Sequence, residues 1–432
     1  MIDLLVINAL VFNTFLKTFE KQSVSVKDGK FYYISDKDLR YLEPKEVLDA
    51  KGKYLVPGLI DIHMHIESSM VPPASFSPVA LSHGVTTIVA DSHEIANVFG
   101  VAGITAFMEQ ETEMDIFYAI PSSVPSTTVD RETTGGIIGV SEVRALLEHP
   151  KVIALGEAMN FKGITNEPDS LIRQILRETQ NSKPFMPLEG HIPRVSGEDL
   201  AKFMFVGLTA DHTHQSPESI LEKAKSGIFL EFQKKSITPE NMAVINQYHL
   251  YEHMALITDD IMVDDFVTGH LDANVRLAIA AGLPAEQAIY TATYTPARRM
   301  GFQDRGAIMT GYQADFILLD DVASFTIASV YKNGKQVSDV HPDMQFPEAF
   351  YQSVQCRPLT EADFRFEVEK DTVCNVIAIQ EVGTFTEHVQ RIVSEKEGFL
   401  DWENSGLALI VVMERYGKNG NIGYGFVENA LT

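Results

Sequence analysis

Two histidines one residue apart, His63 and His65, close the run Leu59–His65. In an extended strand, residues i and i+2 share a face, so both imidazoles can reach one metal ion. A second pair, His212-x-His214, shows that this spacing by itself does not define a site. Further donors stand at the ends of later apolar runs: Glu157, His191, His212 and Asp259. Four imidazoles and two carboxylates exceed the donor set of one catalytic zinc and suit two divalent cations. Glu157 is the natural bridge, because a carboxylate has two oxygens and can turn one to each ion. Imidazole with carboxylate suits zinc, iron or manganese, and spacing does not select among them. Such a pair makes hydroxide available at neutral pH for attack on a polarised C=O or C=N carbon. Asp259 is placed to take the water's proton and pass it to the leaving group. Hydrolysis of an amide and deamination of an aromatic amidine both fit.

Donors so far apart in sequence need a scaffold that returns them to one place. From Leu59 the chain alternates strand-like runs with helical patterns. The strands are expected at Leu59–His65, Thr86–Asp91, Ile116–Ser122, Val152–Glu157, Phe185–His191, Val206–His212, Ile228–Phe232 and Met254–Asp259. Helical segments between them include Ser75–His83, Ser141–His149, Asp169–Thr179, Gly197–Phe205, Pro217–Ser226 and Pro239–Tyr251, with another from Leu271. This order predicts an α/β fold, a TIM-like (β/α)8 barrel, whose chemistry is done at the carboxyl ends of its strands. All six donors fall there. A doubly wound open sheet is the other reading, but no GxGxxG turn follows an early strand. P-loop and GxSxG motifs are also absent.

Before the barrel, Leu4–Phe12, Ser23–Val26 and Phe31–Ile34 predict a small antiparallel sheet. After it, Phe316–Leu319 and Ile327–Lys332 with the turn pair Asn333-Gly334 predict a hairpin. These strands are expected to rejoin the N-terminal ones as a small β-sandwich domain. The expected division is 1–56 with 308–346 for that discontinuous domain, 57–307 for the barrel and 347–432 for a truncated C-terminal domain. The last is read as a short α+β segment, with strands at Val373–Gln380 and Leu407–Glu414.

Lys and Arg number 35 against 59 Asp and Glu, a net charge of −24 over 432 residues. That field disfavours nucleic acid and anionic membranes and suits a metal cation or a small neutral or cationic substrate. Cys356 and Cys374 form no CxxC, which excludes a cysteine zinc site and a disulfide framework. No uncharged apolar stretch reaches the ~18 residues of a membrane span. The opening MIDLLVINALVF carries Asp3 and no Lys or Arg, and reads as a strand rather than a signal peptide. The expectation is a soluble, cytoplasmic protein with a small-molecule partner.

The run Pro57-Gly58-Leu59-Ile60-Asp61-x-His63-x-His65 resembles the opening of the amidohydrolase superfamily. Ile66-Glu67-Ser68-Ser69-Met70, Ser92-His93-Glu94-Ile95-Ala96-Asn97-Val98 and Thr258-Asp259-Asp260 resemble its adenine deaminase branch. So do Glu189-Gly190-His191, Ala210-Asp211-His212, and Arg305-Gly306-Ala307-Ile308 before Ala314-Asp315. The similarity covers most of residues 50–330 and continues weakly to Gly420-Asn421-Ile422-Gly423. It implies His63, His65, Glu157, His191, His212 and Asp259 as metal ligands, with Glu157, His212 and Asp259 at the catalytic centre. It implies two divalent ions, manganese first, with iron or zinc as the other choices. The implied enzyme is a hydrolase of purine metabolism, turning adenine and water into hypoxanthine and ammonia by hydroxide attack at C6. Glu67, Ser68, His93 and Glu94 are implied to line the substrate pocket or orient ligands. A homodimer is the implied assembly.

Four departures accompany the resemblance. Asp91-Ser92-His93-Glu94 stands for the usual Asp-Pro-His-Glu. Asp211-His212-Thr213 replaces Asp-His-Glu, removing a pocket carboxylate, and Glu231-Phe232-Gln233-Lys234-Lys235 replaces an Arg-Glu-Gly-Ser element. The chain also stops at Thr432, where family members usually continue. The middle two bear on adenine specificity and keep two other readings open: hydrolysis of another cyclic amide or amino-heterocycle, and an inactive binding subunit. The zinc nucleoside-deaminase pattern is matched only in His65-Ile66-Glu67; its Pro-Cys-x-x-Cys half is missing.

Overall fold

The computed structural model describes residues 1–338, 346–380 and 386–430. The chain divides into two compact units, Met1–Phe346 and Pro347–Thr432.

The larger unit contains the expected barrel. Its strands are β1 (Leu59–His65), β2 (Val85–Asp91), β3 (Asp115–Ile120), β4 (Val152–Ala158), β5 (Leu188–Gly190), β6 (Ala210–Asp211), β7 (Phe229–Phe232) and β8 (Met254–Leu256). The first five pair in parallel order, and β6, β7 and β8 form a second parallel arc. Two small links close the ring. The two-residue strand Asp259–Asp260 pairs in parallel with Met64 and His65 of β1. Between β5 and β6, the Thr209 N–H donates to the Leu188 carbonyl at 3.5 Å. Inside the ring lies an apolar layer that includes Ile60, Ile62, Val89, Ala119, Ala154, Ala255 and Ile257. The buried faces of the surrounding helices pack against the outer wall of the ring, as in Ile172, Ile175 and Leu176 of the helix Leu171–Ser182.

Expected and observed strands differ most at β5 and β6. Pro187 has no N–H to give a ladder, so β5 begins at Leu188 and Phe185 is left 98% exposed. Val206 ends the helix Gly197–Phe205 and Gly207 turns at φ +104°, so β6 begins only at Ala210. The helices Gly197–Phe205 and Pro217–Ser226 lie where their patterns placed them.

The small β-domain is one eight-stranded sheet rather than a purely antiparallel one. Its first strand, Ile2–Asn13, pairs in parallel with Pro44–Asp49 through its first half and with Tyr54–Pro57 through its second. The register slips between Val6 and Ala9, where Asn8 takes φ +55°. That bulge lets one strand serve two partners. Phe316–Asp321 returns after the barrel to pair with Tyr54–Pro57, and the hairpin partner Thr326–Lys332 follows. The sheet folds back on itself: the Phe31 N–H donates to the Tyr312 carbonyl at 2.9 Å, and the Phe31 and Phe316 rings lie 6.2 Å apart.

The second unit holds a four-stranded sheet in the order Thr386–Val393, Thr372–Ile379, Ile422–Glu428, Ala408–Met413. Among its described residues, the helical part of the expected α+β segment is reduced to 3-10 turns. Cys374 is buried there and Cys356 exposed, both as free thiols. Among the described residues, no helix is long and apolar enough to cross a membrane.

Lys332 ties the β-domain to the foot of the barrel. Its ammonium is buried and donates to Asp115 at 2.8 Å and to Asp315 at 2.7 Å. Lys332→Met keeps most of the side-chain volume but leaves the buried Asp315 carboxylate without its counter-charge. The expected loss is about 3–5 kcal/mol of unfolding free energy. Urea unfolding measures it, and a loss under about 1 kcal/mol would show that the ion pair is not what fastens this junction.

Candidate metal centre

All six expected ligands converge at the carboxyl ends of the strands, around Glu157. The His63 and His65 rings lie 5.2 Å apart at the end of β1. Glu157 is buried at the end of β4, and its two oxygens face different neighbours. Oε2 lies 2.7 Å from His191 Nδ1 and 3.0 Å from His212 Nε2, and those two nitrogens are 3.1 Å apart. Three donor atoms with mutual separations near 3 Å match adjacent vertices around one ion with bonds of about 2.1 Å. Oε1 faces the other way, 3.7 Å from His65 Nε2. Asp259 Oδ1 joins that side, 3.3 Å from His65 Nε2 and 3.9 Å from His63 Nε2. His63 Nε2 is buried without a hydrogen-bond partner. His65 gives its Nδ1–H to the Asp91 carbonyl at 2.8 Å, which leaves Nε2 free for a cation. The donor set therefore fits two divalent ions. His214, by contrast, is exposed and takes no part.

The electrostatics agree with a site built for cations. Burial pushes the Glu157 carboxyl up, but His212 and His191 outweigh it and hold it well below the usual range. Asp259 is likewise held down by His65, His212 and His63 against the effect of its burial. Burial works against a charged His212, yet the Glu157 carboxylate raises it to about 9. In the metal-free chain, protons on imidazole balance the carboxylates. Cations that bind must displace those protons, so loading releases acid.

Several further side chains fix the candidate ligands in place, and sequence reasoning gave them no role; one of them, Asp91, also lies close to His93 and Glu157. Asp61 Oδ1 accepts the His63 N–H at 3.3 Å, while its Oδ2 accepts the Thr258 N–H at 3.2 Å and the Thr258 hydroxyl at 2.6 Å. Asp91 Oδ2 accepts the Glu157 N–H at 2.8 Å. That approach needs Gly156, where a Cβ would stand 2.2 Å from Asp91 Oδ2. Asp211 Oδ1 accepts the Ile192 N–H at 3.1 Å and the Thr213 N–H at 3.2 Å, just past His191 and His212. Its other oxygen meets the buried Lys223 ammonium at 2.6 Å. All three aspartates lie inside motifs that resemble the family, which is the only signal the sequence offers for them. Lys223 offers none, because it reads as a solvent lysine on a polar helix.

The four expected pocket residues do different things. His93 Nδ1 stands 3.6 Å from Glu157 Oε1, and Glu94 Oε2 stands 3.8 Å from His65 Nδ1. Glu67 is buried behind them and accepts the Ile95 N–H at 3.1 Å in the first turn of the helix His93–Phe99. The Ser68 hydroxyl donates to Asp260. Thr213, at the position where the resemblance has a carboxylate, is 4% exposed, and its hydroxyl donates to Asp211. A cavity of about 520 Å³ opens beside His191, with Met159 and Phe161 among its walls.

The amidohydrolase family pattern matches residues 54–337. The chain is 48% identical over 434 residues to adenine deaminase 2 of Oenococcus oeni, covering 99% of this chain and 76% of that protein. It is 46% identical over 437 residues to adenine deaminase of Lactobacillus delbrueckii subsp. bulgaricus, covering 100% of this chain and 77% of the relative. This chain belongs to the adenine deaminase branch of the amidohydrolase family. Among solved structures it is similar to a beta-aspartyl dipeptidase of Fervidobacterium islandicum, at 22% identity and TM-score 0.58. That likeness covers 80% of this chain and 100% of the other, and it concerns the fold alone. Family and donor set together imply divalent metal at this cluster.

Glu157→Gln tests the centre. A neutral amide offers one oxygen where the two sides share two, and its NH2 group repels cations. Elemental analysis after reconstitution and dialysis should give close to two equivalents for the unaltered chain and a clear deficit for the variant. Two equivalents retained in Glu157→Gln would show that Glu157 does not link the two sides.

Proposed function

We propose that this chain is a divalent-metal-dependent aminohydrolase that converts adenine and water to hypoxanthine and ammonia. The observation that carries the reading is the divided environment of Glu157, with His191 and His212 on one oxygen and His65 and Asp259 toward the other. The full-chain similarity to curated adenine deaminases supports the substrate.

His63, His65 and Asp259 would hold one ion and His191 and His212 the other, with Glu157 between them. When bound, such a pair, manganese before iron or zinc, lowers the pKa of water at the site. The chain's own groups do the rest. Asp259, ionised in its cationic surroundings, accepts a proton at its carboxylate as the water oxygen adds to C6. It returns that proton to the exocyclic nitrogen as the C6–N bond breaks. One water proton ends on N1 of hypoxanthine and the other on ammonia, so the step balances. His212 anchors the Glu157 carboxylate. The cavity beside His191, walled in part by Met159 and Phe161, offers apolar faces to a flat ring. His93 and Glu94 are the side chains proposed to touch the heterocycle, with Glu67 and Ser68 bracing their loops. We assign the barrel to 57–307, the β-domain to 1–56 with 308–346, and the C-terminal domain to 347–432.

A second reading keeps the metals and changes the ring. It is favoured by one observation: Thr213 is engaged with Asp211, so no pocket acid stands there. Ammonia release from metal-loaded protein, measured on adenine beside a panel of purines and cyclic amides, separates the two. Adenine should be turned over fastest. Turnover of another ring amide or amine without adenine would keep the site and replace the substrate.

Asp259→Asn should lower kcat by at least about 10²–10⁴-fold, because an amide cannot accept the proton. Circular dichroism should show the fold intact. Near-normal turnover in this variant would move the proton-accepting role elsewhere, with Asp260 next in line.

A further inference from the structure

We propose that Gln233 is a positioning residue that decides which oxygen of Asp259 faces the metal cluster. The proposal deepens the function proposed above and rests on it for the role of Asp259. Gln233 follows β7 by one residue and is 7% exposed. Its side-chain amide donates to Asp259 Oδ2 at 2.6 Å and to the His212 carbonyl at 3.0 Å. One NH2 group therefore joins the ends of three successive strand positions, β6, β7 and the segment after β8. With Oδ2 occupied, Oδ1 is the oxygen left toward His65 and His63, at 3.3 Å and 3.9 Å.

Asp259 needs such a constraint more than the other ligands do. Its backbone stands at φ +62°, a left-handed conformation costly for a residue with a Cβ. It belongs to a two-residue strand rather than to a long ladder. A carboxylate there could rotate about its Cβ–Cγ bond and present either oxygen, or both. The Gln233 amide removes that choice. The residue lies in the segment Glu231–Lys235, which departs from the usual Arg-Glu-Gly-Ser element.

Three variants test the assignment. Gln233→Met keeps length and volume without a donor, Gln233→Glu puts an acceptor against Asp259, and Gln233→Arg restores donors. The readouts are Mn²⁺ affinity by competition with a chelator dye, kcat and KM on adenine, and thermal unfolding of the metal-free protein. Met and Glu should weaken Mn²⁺ binding by about 10–100-fold, the usual effect of losing a group that orients a ligand. At saturating Mn²⁺ they should lower kcat by about 10²-fold with KM changed less than about threefold. Arg should recover most of both, and metal-free unfolding should be little changed in Gln233→Met, the variant that adds no charge. Wild-type Mn²⁺ affinity and kcat in Gln233→Met would overturn the proposal. So would equal losses in Met, Glu and Arg, which would mark a packing role. Should the unaltered chain bind Mn²⁺ but leave adenine intact, the function falls while the affinity measurements still decide the role of Gln233.

Discussion

A parallel barrel leaves its strand ends with backbone N–H groups that no neighbouring strand can satisfy. In this chain those are the groups that must be fixed, because they carry or adjoin the candidate metal donors. Three buried carboxylates hold them. Asp61 serves the His63 and Thr258 N–H groups, Asp91 serves Glu157, and Asp211 serves the residues after His191 and His212. A carboxylate suits this role because it accepts several N–H bonds at once, and charged acceptors make stronger bonds than neutral ones. Between them these three side chains reach five of the six ligand positions, directly or one residue away. Remove them, and the ligands would sit on frayed strand ends, loose by more than a metal site tolerates.

Such an arrangement buries negative charge beside negative charge, and the structure answers this in two ways. Behind the ligands, Lys223 is driven into the barrel wall to meet Asp211, with both side chains almost wholly buried. In front of them, imidazoles surround Glu157 and Asp259, and the remaining positive charge is left for cations to supply. A net charge of −24 works in the same direction, drawing divalent ions toward the barrel. The cluster is stable as a set only when something cationic occupies it, protons or metal.

The meeting of the six candidate donors was legible because each closes an apolar run, and strand ends are where a barrel collects its chemistry. The helices Gly197–Phe205 and Pro217–Ser226 were legible from their apolar spacing. The short strands β5 and β6 were not. Pro187 and Gly207 break ladders there, but a run of apolar residues looks the same whether or not its N–H groups are paired. The parallel pairing of Ile2–Asn13 was hidden for a related reason: strand direction is set by partners distant in sequence. The roles of Asp61, Asp91, Asp211 and Lys223 depend on contacts that reach across 12 to 197 residues as well as on local ones. Periodicity carries no trace of them.

Asp259 shows how closure of the barrel and completion of the site become one event. The chain leaves β8 at Leu256, passes Ile257, whose N–H reaches the Phe232 carbonyl at 3.1 Å, and then crosses to β1. Asp259 and Asp260 pair there with Met64 and His65, beside the first two ligands. The crossing forces a left-handed residue, and an aspartate tolerates that conformation better than a branched side chain would. Thr258, just before it, is fastened to Asp61, the same carboxylate that holds the His63 N–H. The last strand therefore cannot seal the ring without bringing the sixth donor to the first two, and the strain at Asp259 is borne by contacts the closed barrel already makes.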